Sequence, residues 1–244
     1  MGTRRGLRGI VWKRTDFRET SRLITLITPE HGKLVTLGKG AHRPGSQCLG
    51  RIDFLNLLEV KISGGNLPVL HRVRLLREHR RLREPIRYAA ASYLTEIFDP
   101  TFLAGRADPG LFDLLAGGLL LLERCPEASI PQVLAGIELK YLAELGLQPP
   151  ILQCRQCGQS LDDGPLYPDE RHGGVCCRRH ASGDARAVPA SALRWLDHLR
   201  DSPGRTWPGL SSVPGGARKL LGRWIAGALE RRPDLREGAY QSGA

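Results

Sequence analysis

A chain of 244 residues with 41% hydrophobic content can bury a substantial core, either as one large domain or as two to three smaller ones. The longest apolar run, from Leu114 to Leu122, is too short to cross a bilayer, and no apolar segment follows Arg4, Arg5 and Arg8 as it would in a secretory signal. Both points lead to the expectation of a soluble, cytoplasmic protein with no membrane partner.

The net charge of +11 is unevenly spread. Residues 1–87 hold 19 Lys and Arg against 7 Asp and Glu, giving +12; residues 88–153 hold 3 against 8, giving −5; residues 154–244 hold 14 against 10, giving +4. Basicity concentrated on one small region is the electrostatic footprint of a polyanion-binding surface. Arg outnumbers Lys 30 to 6, and the planar guanidinium favours forked contacts with phosphate.

From Leu7 to Leu75, short runs rich in β-branched and aliphatic residues alternate with turn residues. Strands are predicted at Leu7–Lys13, Arg22–Thr28, Lys33–Lys39, Phe54–Ile62 and Val69–Arg74. Pro29-Glu30-His31-Gly32 joins the second to the third as a hairpin, and Ser63-Gly64-Gly65-Asn66 does the same for the last two. Five strands in about seventy residues, with a long loop from Gly40 to Arg51, suit an OB-fold barrel, a scaffold that holds single strands in a basic groove with aromatic platforms. Arg14, Arg22, Lys33, Lys39 and Arg43 are the candidate nucleic-acid-binding cations. Trp12 and Phe17 are the available stacking residues, with Trp12 better suited to the core. A phosphate-loop reading around Lys39-Gly40 fails, because the positions that need Gly and Ser or Thr carry Lys33 and Gly40.

A basic connector, Arg77–Arg83, leads to helices predicted at Ile86–Phe98, Leu111–Arg124 and Pro131–Leu145. In the third, Val133, Leu134, Ile137, Tyr141, Leu142 and Leu145 are read as one apolar stripe. Later helices are predicted at Ala190–Arg200 and Ala217–Arg232, the latter with Arg218, Lys219, Arg223, Arg231 and Arg232 off its apolar stripe. The tail from Pro233 to Ala244 has too little apolar content to fold alone and is expected to be disordered.

Between these helices, Cys154-Arg155-Gln156-Cys157 and Cys177-Arg178-Arg179-His180 form two knuckles separated by nineteen residues. Each knuckle turns two soft ligands toward one point, so Cys154, Cys157, Cys177 and His180 are read as one structural zinc site. Cys176 is an alternative to Cys177, although only Cys177 keeps the two-residue gap to His180. A zinc hydrolase with water as fourth ligand is the enzymatic rival. His180 would close that position, and no HExxH motif or nucleophile elbow is present. An RNA-binding module built on the same barrel is a further alternative, since phosphate contacts and stacking serve both polymers.

The order of these features, with Gly9-Ile10-Val11, Glu19-Thr20-Ser21, Glu30-His31-Gly32-Lys33, Lys39-Gly40-Ala41-His42-Arg43, Tyr93-Leu94-Thr95-Glu96-Ile97, Leu145-Gly146-Leu147 and Cys154-Arg155-Gln156-Cys157-Gly158, resembles the bacterial RecO family of recombination mediators. The likeness runs from about Gly9 to Arg232, and His180 stands where zinc-bearing members usually carry a fourth cysteine. It implies an α+β multidomain chain: an OB-fold domain over 1–80, a helical domain over 81–150 and 186–232, and a zinc module over 151–185. It implies binding of single- and double-stranded DNA, strand annealing, and action with RecR and single-stranded DNA-binding protein to load RecA in the nucleoid. None of these is an enzymatic activity. The acidic, apolar-ended tail of the single-stranded DNA-binding protein would need an apolar pocket rimmed by cations, for which Arg106, Arg124 and Lys140 are the candidates.

Overall fold

The computed structural model describes residues 5–161, 165–169, 173–183 and 185–241. It divides into two compact units, one built from the residues up to Arg83 with Phe98–Leu120, the other from Glu84–Ile97 with the described residues from Leu121 onward.

The first unit is a closed barrel of β1 (Arg5–Phe17), β2 (Ser21–Thr28), β3 (Gly32–Gly38), β4 (Leu57–Ser63) and β5 (Val69–Arg77), in the order β1-β2-β3-β5-β4. Closure depends on the long first strand. Its first half pairs antiparallel with β4 (Leu7 opposite Val60) and its second half with β2 (Arg14 opposite Ile24), and an irregularity between Val11 and Lys13 marks the bend. A parallel contact between Leu37 and Val69 seals the seam. Leu7, Val11, Ile24, Leu26, Leu58, Val60 and Val73 fill the interior, where their alternation along each strand places them. The predicted hairpins both form, and Gly32 takes the left-handed φ of 58° that its turn requires.

Residues 98–120 group with this barrel and not with the helices that flank them in sequence. The physical reason is a set of backbone bonds to the β2–β3 hairpin: Gly105 N–H to His31 O at 2.9 Å and Asp108 N–H to Pro29 O at 3.1 Å. Trp12 joins the same contact. It is buried, donates from Nε1 to Asp99 Oδ1 at 2.6 Å and meets Phe102 edge-on at 6.4 Å, so it is a core residue and offers no stacking face.

In the second unit, α3 (Ile130–Glu144) is the central helix. The single apolar stripe expected of it is replaced by burial on all sides: Val133, Leu134, Ala135, Ile137, Glu138, Leu139 and Tyr141 are all inaccessible. A helix apolar over most of its circumference belongs inside a bundle. Packed against it are α4 (Ala190–Asp201) and α5 (Gly215–Leu229), the latter burying Ala217, Leu220, Leu221, Trp224 and Ile225. Of two further helices, α1 (Pro85–Phe98) lies in this unit but for its last residue, whereas α2 (Pro109–Arg124) contributes only its final turn from Leu121; both begin at prolines suited to a first helical turn. The end of α2 is closed by the fully buried Arg87, whose guanidinium donates to the carbonyls of Leu122 and Cys125.

The chain beyond Pro233, expected to be disordered, is folded through Gln241; residues 242–244 lie outside the described set. Arg236–Tyr240 forms α6, with Arg236, Ala239 and Tyr240 buried. Its few apolar atoms are not what orders it. Polar anchors do so: Glu96 accepts the Asp234 and Leu235 N–H groups at 2.7 and 2.9 Å, and Glu138 accepts Arg236 Nε and Nη2 at 2.7 and 2.9 Å.

Candidate nucleic-acid interface and metal centre

The barrel carries an open cavity of about 680 Å³, lined by Phe17, Arg18, Lys39, Arg43, Gln47 and His71 among others. Two of its walls are turns. The β1–β2 turn supplies Phe17, half-buried, and Arg18, whose guanidinium lies over the Phe17 ring at 5.3 Å. The loop after β3 supplies Lys39 and Arg43. It folds as successive tight turns (Arg43 N–H to Gly40 O, Ser46 N–H to Arg43 O, both 3.0 Å), which fixes the spacing of the two cations.

Of the five cations expected in one groove, the structure brings together Lys39 and Arg43. Lys33 sits at the far end of β3, six residues from Lys39 or about 20 Å along a strand, and pairs with Asp99 at 2.8 Å. Arg14 pairs with Asp53 at 2.5 Å and Arg22 with Asp16 at 2.8 Å, where His42 Nε2 also lies 2.9 Å from the same carboxylate oxygen. The hydrogen bonds from Arg22 and His42 hold the exposed Asp16 carboxyl below its usual range. These three cations are therefore partly neutralised. Arg18 and His71, absent from the expected set of cations, line the cavity as well; the adjacency of Arg18 to Phe17, already named as a stacking residue, is the one signal in the sequence.

The second unit carries the candidate metal centre. Among the described residues, Cys154, Cys157, Cys177 and His180 place their ligand atoms within 4.8 Å of one another. A zinc ion with sulfur ligands at 2.3 Å separates them by about 3.8 Å, so the cluster fits with small adjustments. Local backbone bonds hold the knuckles: Gly158 N–H to Cys154 O at 2.8 Å, and His180 N–H to Cys177 O at 3.0 Å. His180 Nδ1 lies 3.3 Å from Cys177 Sγ and 3.6 Å from Cys154 Sγ. Burial pushes the Cys154 thiol up, but the N–H groups of Cys177, Cys157 and Gln156 outweigh it and leave it lowered to about 6, in favour of the thiolate that a metal needs. Cys176 faces elsewhere, toward the carbonyls of Tyr167 and His180, and burial followed by the Asp169 carboxylate raises it to about 11. The geometry thus gathers Cys177 with the other three ligands and leaves Cys176 apart.

The same unit holds a cavity of about 760 Å³ lined by Leu147, Pro149, Trp224, Lys219, Arg223 and Arg232, among others. None of Arg106, Arg124 and Lys140 lines it. Arg106 belongs to the barrel unit, Arg124 is exposed at the end of α2, and the Lys140 ammonium donates to Arg200 O at 3.1 Å. No helix among the described residues is long and apolar enough to cross a membrane.

A five-stranded barrel with a basic cavity, followed by a helical unit holding a Cys3His cluster that could bind a metal, defines a class of multidomain proteins. Two family descriptions cover nearly the whole chain, Recombination protein O N terminal over residues 5–79 and Recombination protein O C terminal over residues 82–236. The chain belongs to the RecO family of DNA repair proteins. Among its relatives, the DNA repair protein RecO of Anaeromyxobacter dehalogenans (strain 2CP-C) is 32% identical over 235 residues, covering 93% of this chain and 92% of the relative. That of Bacillus pumilus (strain SAFR-032) is 33% identical over 186 residues, covering 75% and 71% respectively.

Proposed function

We propose that this chain binds single- and double-stranded DNA through the barrel, anneals complementary strands, and acts with RecR at the nucleoid to load RecA on single-stranded DNA. The observation that carries this reading is the cavity where Lys39 and Arg43 stand beside Phe17. Annealing requires no bond making. Cations lower the repulsion between two phosphate backbones and keep the strands close while bases pair, and counterion release makes such binding fall steeply with salt. Arg14, Arg22 and Lys33 extend the basic surface around the barrel at lower effective charge.

Zinc is the metal that best matches three thiolates and an imidazole in this arrangement, held by Cys154, Cys157, Cys177 and His180. A four-ligand site supplies folding energy to a module with little core of its own and leaves no open position for catalysis. The chain is accordingly read as a non-enzymatic mediator.

For the acidic, apolar-ended tail of the single-stranded DNA-binding protein, the cavity on α5 is the better candidate than Arg106, Arg124 and Lys140. It combines an apolar floor of Leu147, Pro149 and Trp224 with Lys219, Arg223 and Arg232. Charge reversal at Lys219 and Arg223 should abolish binding of an acidic tail peptide, whereas reversal at Arg124 and Lys140 should leave it intact; the opposite result would assign the tail to Arg124 and Lys140.

Strand annealing by the wild type and by Lys39→Glu/Arg43→Glu tests the central reading. The double variant is expected to anneal at least tenfold more slowly and to show a shallower salt dependence of DNA binding. Unchanged annealing would remove the barrel groove from the mechanism. Competition between DNA and RNA oligonucleotides of equal length decides which polymer is preferred.

A further inference from the structure

We propose that Phe17 and Arg18 form a seat for one unpaired base within the barrel cavity, so that this groove, which meets both forms through Lys39 and Arg43, holds a single strand more tightly than a duplex. The inference rests on the reading of the cavity as a nucleic-acid site and adds to it the part of the polymer that the site recognises. Four observations converge. The two residues are consecutive, line the same cavity as Lys39 and Arg43, and are already stacked, with the Arg18 guanidinium carbon 5.3 Å from the Phe17 ring centroid. Arg18 has a left-handed backbone, φ 57°, one of three non-glycine residues with positive φ among the described residues. This conformation is uncommon for a side chain of that size and occurs where structure or function over-determines it. The cavity, at about 680 Å³, has room for a nucleotide unit. Finally, Phe17 is only half-buried although it ends a strand whose inward residues are sealed, so its ring serves the groove and not the core.

Chemically, a planar guanidinium over an aromatic ring presents a second flat, cationic face on which any base can stack. A duplex cannot use such a seat, because its bases are stacked on one another and only its phosphates are reachable. Lys39 and Arg43, on the loop after β3, would take the phosphates flanking the seated base. The consequence is a division of labour inside one groove: Lys39 and Arg43 respond to every polyanion, and Phe17 with Arg18 respond to unpaired bases.

The test uses the full chain and three probes of equal length: a single strand of thymidines, the same strand with abasic residues throughout, and a duplex. Arg18→Lys keeps the charge and removes the plane; Phe17→Leu keeps the apolar bulk and removes the ring. Arg18→Gly accepts the left-handed backbone and controls for strain. Each is expected to lose about tenfold in affinity for the thymidine strand, within the range known for stacking one base on an aromatic side chain. Arg18→Lys and Phe17→Leu should leave the abasic strand and the duplex unchanged. Equal losses on all three probes, or no loss on any, would overturn the base seat. Lys39→Glu/Arg43→Glu runs in parallel. If it loses binding to all probes while the platform variants do not discriminate, the groove stands without the seat; if it binds as well as the wild type, the groove reading itself falls.

Discussion

The Cys154–His180 cluster and the Glu138 cluster both lie in the helical unit, and they are assembled in opposite ways. The first is made from two knuckles that are each formed locally, with its members at most 26 residues apart. The second gathers Tyr93, Glu138, Arg236 and Tyr240 across separations of 45, 98 and 102 residues from Glu138. Glu138 is fully buried and accepts from Tyr93 Oη at 2.5 Å, from Tyr240 Oη at 2.8 Å and from both Nε and Nη2 of Arg236. A metal centre can draw its folding energy from the ion and tolerate an exchange of cysteine for histidine. A buried carboxylate has only its protein partners, and each one missing leaves charge or dipole uncompensated.

The comparison can be broken at the metal first, where the effect should be all or none. Cys177→Ala should abolish stoichiometric zinc binding and open the chain between residues 151 and 189 to protease, whereas Cys176→Ala should retain one ion per chain by metal analysis. Loss of zinc in the Cys176 variant would reverse the ligand assignment. Next in size is the carboxylate. Glu138→Ala should lower the free energy of urea unfolding by about 3–5 kcal/mol, because Arg236 is left buried and unpaired. Replacing both Glu138 and Arg236 by methionine should recover much of that loss; if it is as damaging as the single change, the pair contributes more than mutual compensation.

A smaller effect is expected at Gly222, where a Cβ would stand 2.7 Å from Arg236 Nη1. Glycine here lets the guanidinium pass α5 to reach Glu138. Gly222→Ala should cost about 1–3 kcal/mol by crowding, and combination with Arg236→Ala should be less than additive in a double-mutant cycle.

The smallest effect is a pH dependence at the second anchor of the tail. Burial pushes the Glu96 carboxyl up, but Arg231 and the Leu235 and Asp234 N–H groups prevail and hold it below its ordinary value of 4.5. A carboxyl depressed in the folded state stabilises it fully above that ordinary value, and the contribution fades as pH falls through the folded one. The protection factors of the Asp234 and Leu235 amides, taken against the intrinsic exchange rate at each pH, should therefore fall below about pH 4.5 in the wild type and be low at all pH values in Glu96→Gln.

The barrel was legible for a physical reason: alternation along Arg22–Thr28 and Lys33–Lys39, with a Pro and Gly turn between, depends on neighbours in the chain. Trp12 could be placed in the core by its size and position, though its bond to Asp99 could not. The basic groove was only half legible. Like charges in sequence give no hint of which carboxylates neutralise them, so Arg14, Arg22 and Lys33 looked equivalent to Lys39 and Arg43 until Asp53, Asp16 and Asp99 were found beside the first three. In the helical unit Glu138 counted as one more acid in an acidic segment, and Arg236 as one more charge in a polar tail.

By itself, then, the sequence determined the features set by short spacing: the strands and their hairpins, the helices, and the two ligand knuckles whose geometry a three-residue turn dictates. Tertiary structure alone decided which cations keep their charge for a ligand, which of two adjacent cysteines faces the others, and that a polar tail folds. Those outcomes depend on partners brought together by the completed fold, and pairing across a hundred residues leaves no periodic trace along the chain.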